Sequence, residues 1–185
     1  LIELVGGYGE STLTRLTPPI PGWDQVDPPL YGVNPYDPER AMELMQEAGY
    51  PDVPGGPVIT LHGTFGQYIG QKEIAETIAA QLRDVGFEVE LDIREFSTFR
   101  ETVYQGQNEE LILQSLGNFI TDPWLFVLNY DSNFGETTGA RDRCSFEEID
   151  ALADKINVEL DPEKRSEYVA EYAQVVVEKQ SGVEL

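Results

Sequence analysis

The chain has 185 residues, 41% of them hydrophobic, so it can bury roughly two-thirds of its unfolded surface as one domain or one lobe of a larger protein. Its 34 acidic and 12 basic residues give a net charge of −22, a balance that repels phosphate backbones and anionic membranes and argues against nucleic-acid partners. Cys144 is the single cysteine, which excludes an internal disulfide, and no run of about 18 apolar residues is present to span a bilayer.

The chain begins Leu1-Ile2-Glu3 without methionine, which implies a piece of a longer precursor with any targeting segment upstream. Residues 1–5 read as the end of a helix stopped by Gly6-Gly7. Residues 6–36 hold six prolines and five glycines with no helical period. They also carry Tyr8, Leu13, Leu16, Ile20, Trp23, Leu30 and Tyr31, so residues 1–36 are expected to form a long irregular arm packed on the rest, residues 37–185.

A helix is expected from Asp37, which can cap, with Pro38 at the first helical position and Ala41, Leu44, Met45 and Ala48 on one face. Gly49 ends it. A short strand follows at Val58 to Leu61, then a polar and aromatic loop, Gly63-Thr64-Phe65-Gly66-Gln67-Tyr68. The next helix covers about 69–85, with Ile74, Ile78, Leu82 and Val85 inward. Phe87, Val89, Leu91 and Ile93 alternate with Glu88, Glu90, Asp92 and Arg94, the period of a half-buried strand. A helix over about 96–105 buries Phe96, Phe99 and Val103, and Leu111-Ile112-Leu113 makes a short buried strand. Strands alternating with helices favour a mainly parallel sheet with helices on its faces.

The loop Gln114-Ser115-Leu116-Gly117-Asn118-Phe119 leaves a strand's carboxyl end, the edge at which open α/β sheets usually take ligands. Asp122-Pro123 opens a helix to about Tyr130, and residues 131–144 read as surface loop. Ser145 with Glu148 forms a capping box ahead of Ile149, Leu152, Ala153 and Ile156. Asp161-Pro162-Glu163 starts the last helix, with Tyr168, Val169, Tyr172, Ala173 and Val176 inward.

Little in the chain points to catalysis or a bound cofactor. The single histidine, His62, sits near a strand end, where a hydrogen-bonded structural role is the ordinary one; no serine occupies a Gly-x-Ser-x-Gly elbow. Gly6-Gly7-Tyr8-Gly9 lacks the lysine of a phosphate loop. Asp131, Asn133 and Asp142 could offer oxygens to calcium, but their spacing fits no EF-hand. No enzyme activity, metal or cofactor is expected.

The ordered motifs resemble one family. Tyr36-Asp37-Pro38-Glu39-Arg40-Ala41 through Leu44 to Glu47-Ala48-Gly49-Tyr50 is similar to the "YDPEKAKELLAEAGY" helix of the family 5 extracellular solute-binding proteins of ABC importers. Glu76 to Val89, Phe99 to Gly106, Asp122-Pro123, Ile149-Asp150-Ala151-Leu152, and Asp161-Pro162-Glu163-Lys164-Arg165 with Tyr168 resemble the family's later stretches in order. The resemblance implies most of the C-terminal lobe of a periplasmic-binding-protein-like (type II) fold, an α/β lobe with a mixed, mainly parallel sheet. It further implies a monomeric, extracytoplasmic receptor, free or lipid-anchored, that delivers a peptide or sugar to a membrane permease. A non-transport structural, chaperone-like or signalling module of the same fold is the alternative.

In peptide-binding members the loop after the third strand carries a tryptophan and then an aspartate four residues before the proline. The matching positions here are Leu116 or Ser115 and Phe119, so the ionic latch for a peptide amino group is absent. Arginines that hold a peptide carboxylate match Val103 and Ile112 or Leu113. The resemblance with these departures implies a neutral ligand, held by Gln114, Ser115, Leu116, Gly117, Asn118 and Phe119 with Phe65, Gln67 and Tyr68. Each of these aromatic residues could instead be ordinary packing. Trp124 is open to both readings, and for Trp23 and Tyr31 packing is the stronger one.

Overall fold

The computed structural model describes residues 16–26, 36–50, 55–104, 110–113, 120–134 and 146–179, without the side chains of 102–104 and 134. The chain divides into two compact units, residues 1–9 with 35–116 and residues 10–34 with 117–185.

The first unit holds helix α1 (Pro38–Glu47), strand β1 (Val58–Phe65), helix α2 (Gln71–Asp84), strand β2 (Glu88–Glu95), helix α3 (Phe96–Tyr104) and strand β3 (Leu111–Ile112). The Asp37 carboxylate accepts from the Arg40 amide at 2.8 Å, capping α1 as its Asp-Pro-Glu start predicts. Of the expected α1 stripe only Met45 is buried, and Leu44 remains 48% exposed. Met45 packs where Gly56 offers no side chain, so one residue rather than a stripe anchors this helix.

The three strands form a parallel sheet in the order β2-β1-β3. β1 runs to Phe65, pairing residue by residue with β2 from Val58↔Glu88 to Phe65↔Glu95. The segment Gly63-Thr64-Phe65 is therefore strand, not the start of the loop that its small and polar residues suggest. Gly63 serves close packing: a methyl group there would come 3.0 Å from the Ile93 side chain and 3.7 Å from Ala75.

Leu61, Ala75, Ala79 and Val89 form the buried core of this unit, with Ile59, Ile78, Leu82, Leu91 and Ile93 around it. α2 approaches the sheet through its two fully buried alanines, and the larger Ile78 and Leu82 flank the contact. α3 also packs against β1 and β2. Right-handed crossovers in this strand order put α2 and α3 on opposite faces.

The second unit contains the arm residues 16–26, helix α4 (Trp124–Val127), helix α5 (Glu147–Val158) and helix α6 (Pro162–Lys179), with short 3₁₀ turns at Trp23–Gln25 and Ser132–Phe134. Leu16, Ile20 and Val26 of the arm join Phe126, Val127, Tyr130, Ile149, Leu152, Ile156, Val169, Tyr172 and Val176 in one core. These three arm residues, which follow no helical period, are thus core residues delivered by irregular backbone. Phe126 meets Tyr172 edge-on at 5.4 Å and Tyr130 at 5.7 Å between ring centres. The Tyr172 hydroxyl donates to the Val127 carbonyl at 2.9 Å.

Helix α6 is capped by Asp161, whose carboxylate accepts from the Glu163 and Lys164 amides. The Ser145 member of the expected capping box, the helix end at residues 1–5 and most of the loop over 131–144 lie outside the described residues. α4 is shorter than expected; its last turn continues as non-helical turn through Tyr130, where Asn129 donates back to the Leu125 carbonyl at 2.6 Å.

Candidate functional site

The middle strand β1 connects to β2 on one side, and β2 crosses back to β3 on the other. The winding direction therefore reverses at β1. Open parallel sheets take ligands at such a point, outside the carboxyl ends of the strands. The loop that leaves β1 there is Gly66 to Gly70.

Both bracketing glycines need their left-handed backbone: φ is +84° at Gly66 and +81° at Gly70. Between them the side chain of Gln71, the first residue of α2, turns back onto the loop. Its Oε1 accepts from the Gln67 amide at 3.2 Å and the Tyr68 amide at 3.0 Å. Phe65 and Tyr68 are each 48% exposed and Ile69 is 90% exposed. Large apolar side chains displayed at the edge where open parallel sheets take ligands make this loop the candidate recognition surface. Phe65, Gln67 and Tyr68 are candidates from the sequence as well; Ile69 and Gln71 are not, because the apolar period there extends the expected helix from 69 through Gly70. A glycine at that position is the signal that the helix starts later.

Just behind the edge, on the face turned away from α2, lies a polar group of side chains. His62 Nδ1 is 2.9 Å from Asp92 Oδ2, and Arg94 Nε donates to Asp92 Oδ1 at 2.8 Å. Strand register sets this up, since His62 pairs with Asp92 and Thr64 with Arg94. Partial burial pushes the Asp92 carboxyl up, but hydrogen bonds from Arg94 and His62 outweigh it and hold the group below its ordinary range. The Thr64 hydroxyl is buried with no hydrogen-bond partner among the described residues.

His62 with Asp92 resembles part of a hydrolase relay, but the nucleophile is missing among the described residues. The Ser97 hydroxyl is bonded to Glu95, Ser132 to Asp150 and Ser166 to the Pro162 carbonyl. Among the described residues no group of three or more metal-ligating side chains is assembled.

Of the second expected loop, Gln114, Ser115, Leu116, Gly117, Asn118 and Phe119 all lie outside the described residues. Strand β3, which leads to them, lies beside β1 in parallel, and Leu113 donates its amide to the His62 carbonyl at 2.8 Å.

Beyond that loop, Asp122 accepts both Arg165 nitrogens, at 2.8 and 3.0 Å, and the Trp124 amide at 2.8 Å. Arg165 Nε also donates to the Ile156 carbonyl at 3.0 Å. The Arg165 hydrogen bonds hold the Asp122 carboxyl below its usual range. The Asp-Pro pair thus fixes the start of α4, while the Trp124 ring stays 41% exposed. Two shallow hollows lie elsewhere, one at Phe146, Glu148 and Lys179 and one at Val58, Arg83 and Phe87. On the wall of the first, Lys179 pairs with Glu148 at 2.7 Å.

Residues 1–138 match the family described as bacterial extracellular solute-binding proteins, family 5, middle region. The chain belongs to the family 5 solute-binding proteins. It is 31% identical over 188 residues to heme-binding protein A of Haemophilus influenzae, covering 98% of this chain and 32% of that protein. Its fold matches the periplasmic binding protein DppA of Helicobacter pylori, solved with the peptide STSA, with a TM-score of 0.82 at 20% identity over 100% of this chain and 35% of that one. It also matches AgaA of Agrobacterium tumefaciens R10, solved with agropinic acid, with a TM-score of 0.81 at 22% identity over 99% of this chain and 36% of that one. The fold is that of type II periplasmic binding proteins, and the family is one of binding proteins rather than enzymes. The chain spans about a third of the length of these relatives. No helix among the described residues is long and apolar enough to cross a membrane.

Proposed function

We propose that this chain is one lobe of an extracytoplasmic receptor that captures a small neutral solute, a sugar or a peptide without paired termini, and hands it to the permease of an ABC importer. The receptor is a monomer, free or lipid-anchored. The observation that carries the reading is the exposed loop of Phe65, Gln67, Tyr68 and Ile69 at the carboxyl edge of β1, where the sheet reverses direction. Gln114, Ser115, Leu116, Gly117, Asn118 and Phe119, which follow β3 in sequence, are the further residues assigned to solute contact by the family resemblance. The neutral preference follows from Phe119 standing where peptide-binding relatives have an acid, and from Asp92 engaging both His62 and Arg94. Aromatic faces and amide groups suit a sugar ring or an apolar peptide side chain. Lobe closure on the solute is a population shift driven by contacts made only in the closed form.

A thermal-shift screen of the full-length protein tests this with mannohexaose, the peptide STSA, agropinic acid and heme. At a concentration about 100 times its dissociation constant, a true ligand adds roughly 2.7 kcal/mol and raises the melting temperature. A rise with mannohexaose that is lost in Tyr68→Ala supports the reading. No rise with any of the four overturns capture and leaves a structural module of the same fold.

A further inference from the structure

The N-cap of helix α2 is Gly70, which has no side chain to accept from the first-turn amides. Gln71 does not fill that role. Its side-chain oxygen instead takes the amides of Gln67 and Tyr68, residues that precede the helix. A turn flanked by two left-handed glycines has wide conformational freedom unless something ties it. Core packing does not tie this one: Phe65 and Tyr68 are each 48% exposed and Ile69 is 90% exposed. One glutamine oxygen thus holds the two consecutive amides on which the direction of the Tyr68 side chain depends.

The geometry points to Gln71 as a positioning residue for solute capture, an inference that rests on the reading of the Phe65–Tyr68 loop as the solute site. Gln71 holds the loop in its binding geometry before the solute arrives, so little ordering is left to be done on binding. Ordering a mobile loop and its side chains on binding weakens affinity, and prior ordering removes that loss.

The test uses the full-length protein with Gln71→Ala and Gln71→Glu. Glutamate keeps an acceptor oxygen, and its charge suits a helix N-terminus. In Gln71→Ala, hydrogen exchange at the Gln67 and Tyr68 amides speeds up about tenfold or more, and Gln71→Glu restores the slow rate. Affinity, measured by calorimetry for whichever of mannohexaose, STSA, agropinic acid or heme binds the unaltered protein, falls about tenfold in Gln71→Ala and recovers in Gln71→Glu. The melting temperature of the unliganded protein stays nearly constant across the three. Unchanged amide exchange in Gln71→Ala overturns the proposal, and so does faster exchange with intact affinity. Tyr68→Ala separates this failure from that of the functional reading. If Tyr68→Ala spares affinity, the loop is not the site; if it weakens binding while Gln71→Ala does not, only the role of Gln71 falls. Where none of the four probes binds, capture is already overturned and the positioning role with it.

Discussion

Gly22 is where the irregular arm meets helix α6, and replacing it with alanine tests whether the arm is an integral part of the second unit. Its φ is +93°, and a methyl group on its Cα would lie 2.6 Å from the Ser166 carbonyl oxygen and 3.2 Å from Val169 Cβ. The left-handed backbone alone costs alanine about 1–2 kcal/mol. The clash is with helix backbone, which yields only by moving the arm or the helix, and such overpacking costs about 1–3 kcal/mol more. Gly22→Ala is therefore expected to destabilise by about 2–5 kcal/mol. Gly49 supplies the control, because its φ is +95° and nothing lies within 4 Å of a methyl group placed there. Gly49→Ala carries the backbone cost without the clash, about 1–2 kcal/mol. Urea unfolding of the intact protein, followed by circular dichroism, compares the two. Equal costs for the two substitutions would refute the seating of the arm against α6.

Tyr172→Phe is expected to cost about 0.5–1.5 kcal/mol, since the Val127 carbonyl that loses the hydroxyl still accepts from the Tyr130 and Asp131 amides. Tyr172→Ala empties a fully buried site and costs about 3–5 kcal/mol; both are read from urea midpoints. Arg165→Ala removes a bidentate but half-exposed pair and costs about 1 kcal/mol at pH 7. The Asp122 carboxyl titrates below its unfolded value, so the pair's contribution is present above the ordinary carboxylate range and lost as pH falls through the depressed folded value. Stability of Arg165→Ala and the unaltered protein should therefore converge at low pH in thermal melts. Asp131 has the opposite sign: burial pushes its carboxyl up, and Asp150 and Asp154 add repulsion. Its ionised form costs stability progressively as pH rises from the ordinary carboxylate value through the raised folded one. Asp131→Asn should raise the melting temperature at neutral pH and leave it unchanged at acid pH.

The parallel sheet was legible because its signals are local. The alternation from Phe87 to Arg94 and the Asp-Pro-Glu starts at Asp37 and Asp161 each specify an element by chemistry within a few residues. What periodicity could not show is how closely elements approach. Ala75 and Ala79 carry α2 onto the sheet, although Ile74 and Ile78 are the stronger apolar signals, because small side chains let the helix come near Gly63 and Val89. The same close contact keeps Gly63 and Thr64 in β1, where their composition reads as a turn. Leu16 and Ile20 of the arm were recognisable as apolar, but their place in a core with Phe126 and Tyr172 depends on contacts more than 100 residues apart in the chain.

The candidate site was partly legible for a related reason. Its location follows from topology: once β1 is the middle strand, the loop after Phe65 must emerge where the winding reverses. The geometry of that loop does not follow from topology or from composition. Tyr68 is displayed because Gly66 and Gly70 permit the turn and Gln71 fixes it, an arrangement with no hydrophobic pattern to announce it. The polar group of His62, Asp92 and Arg94 is equally silent in sequence, since it arises from register between strands whose pairing had to be known first. Sequence therefore points to this candidate site through where the chain turns, and structure adds what holds the turn in place.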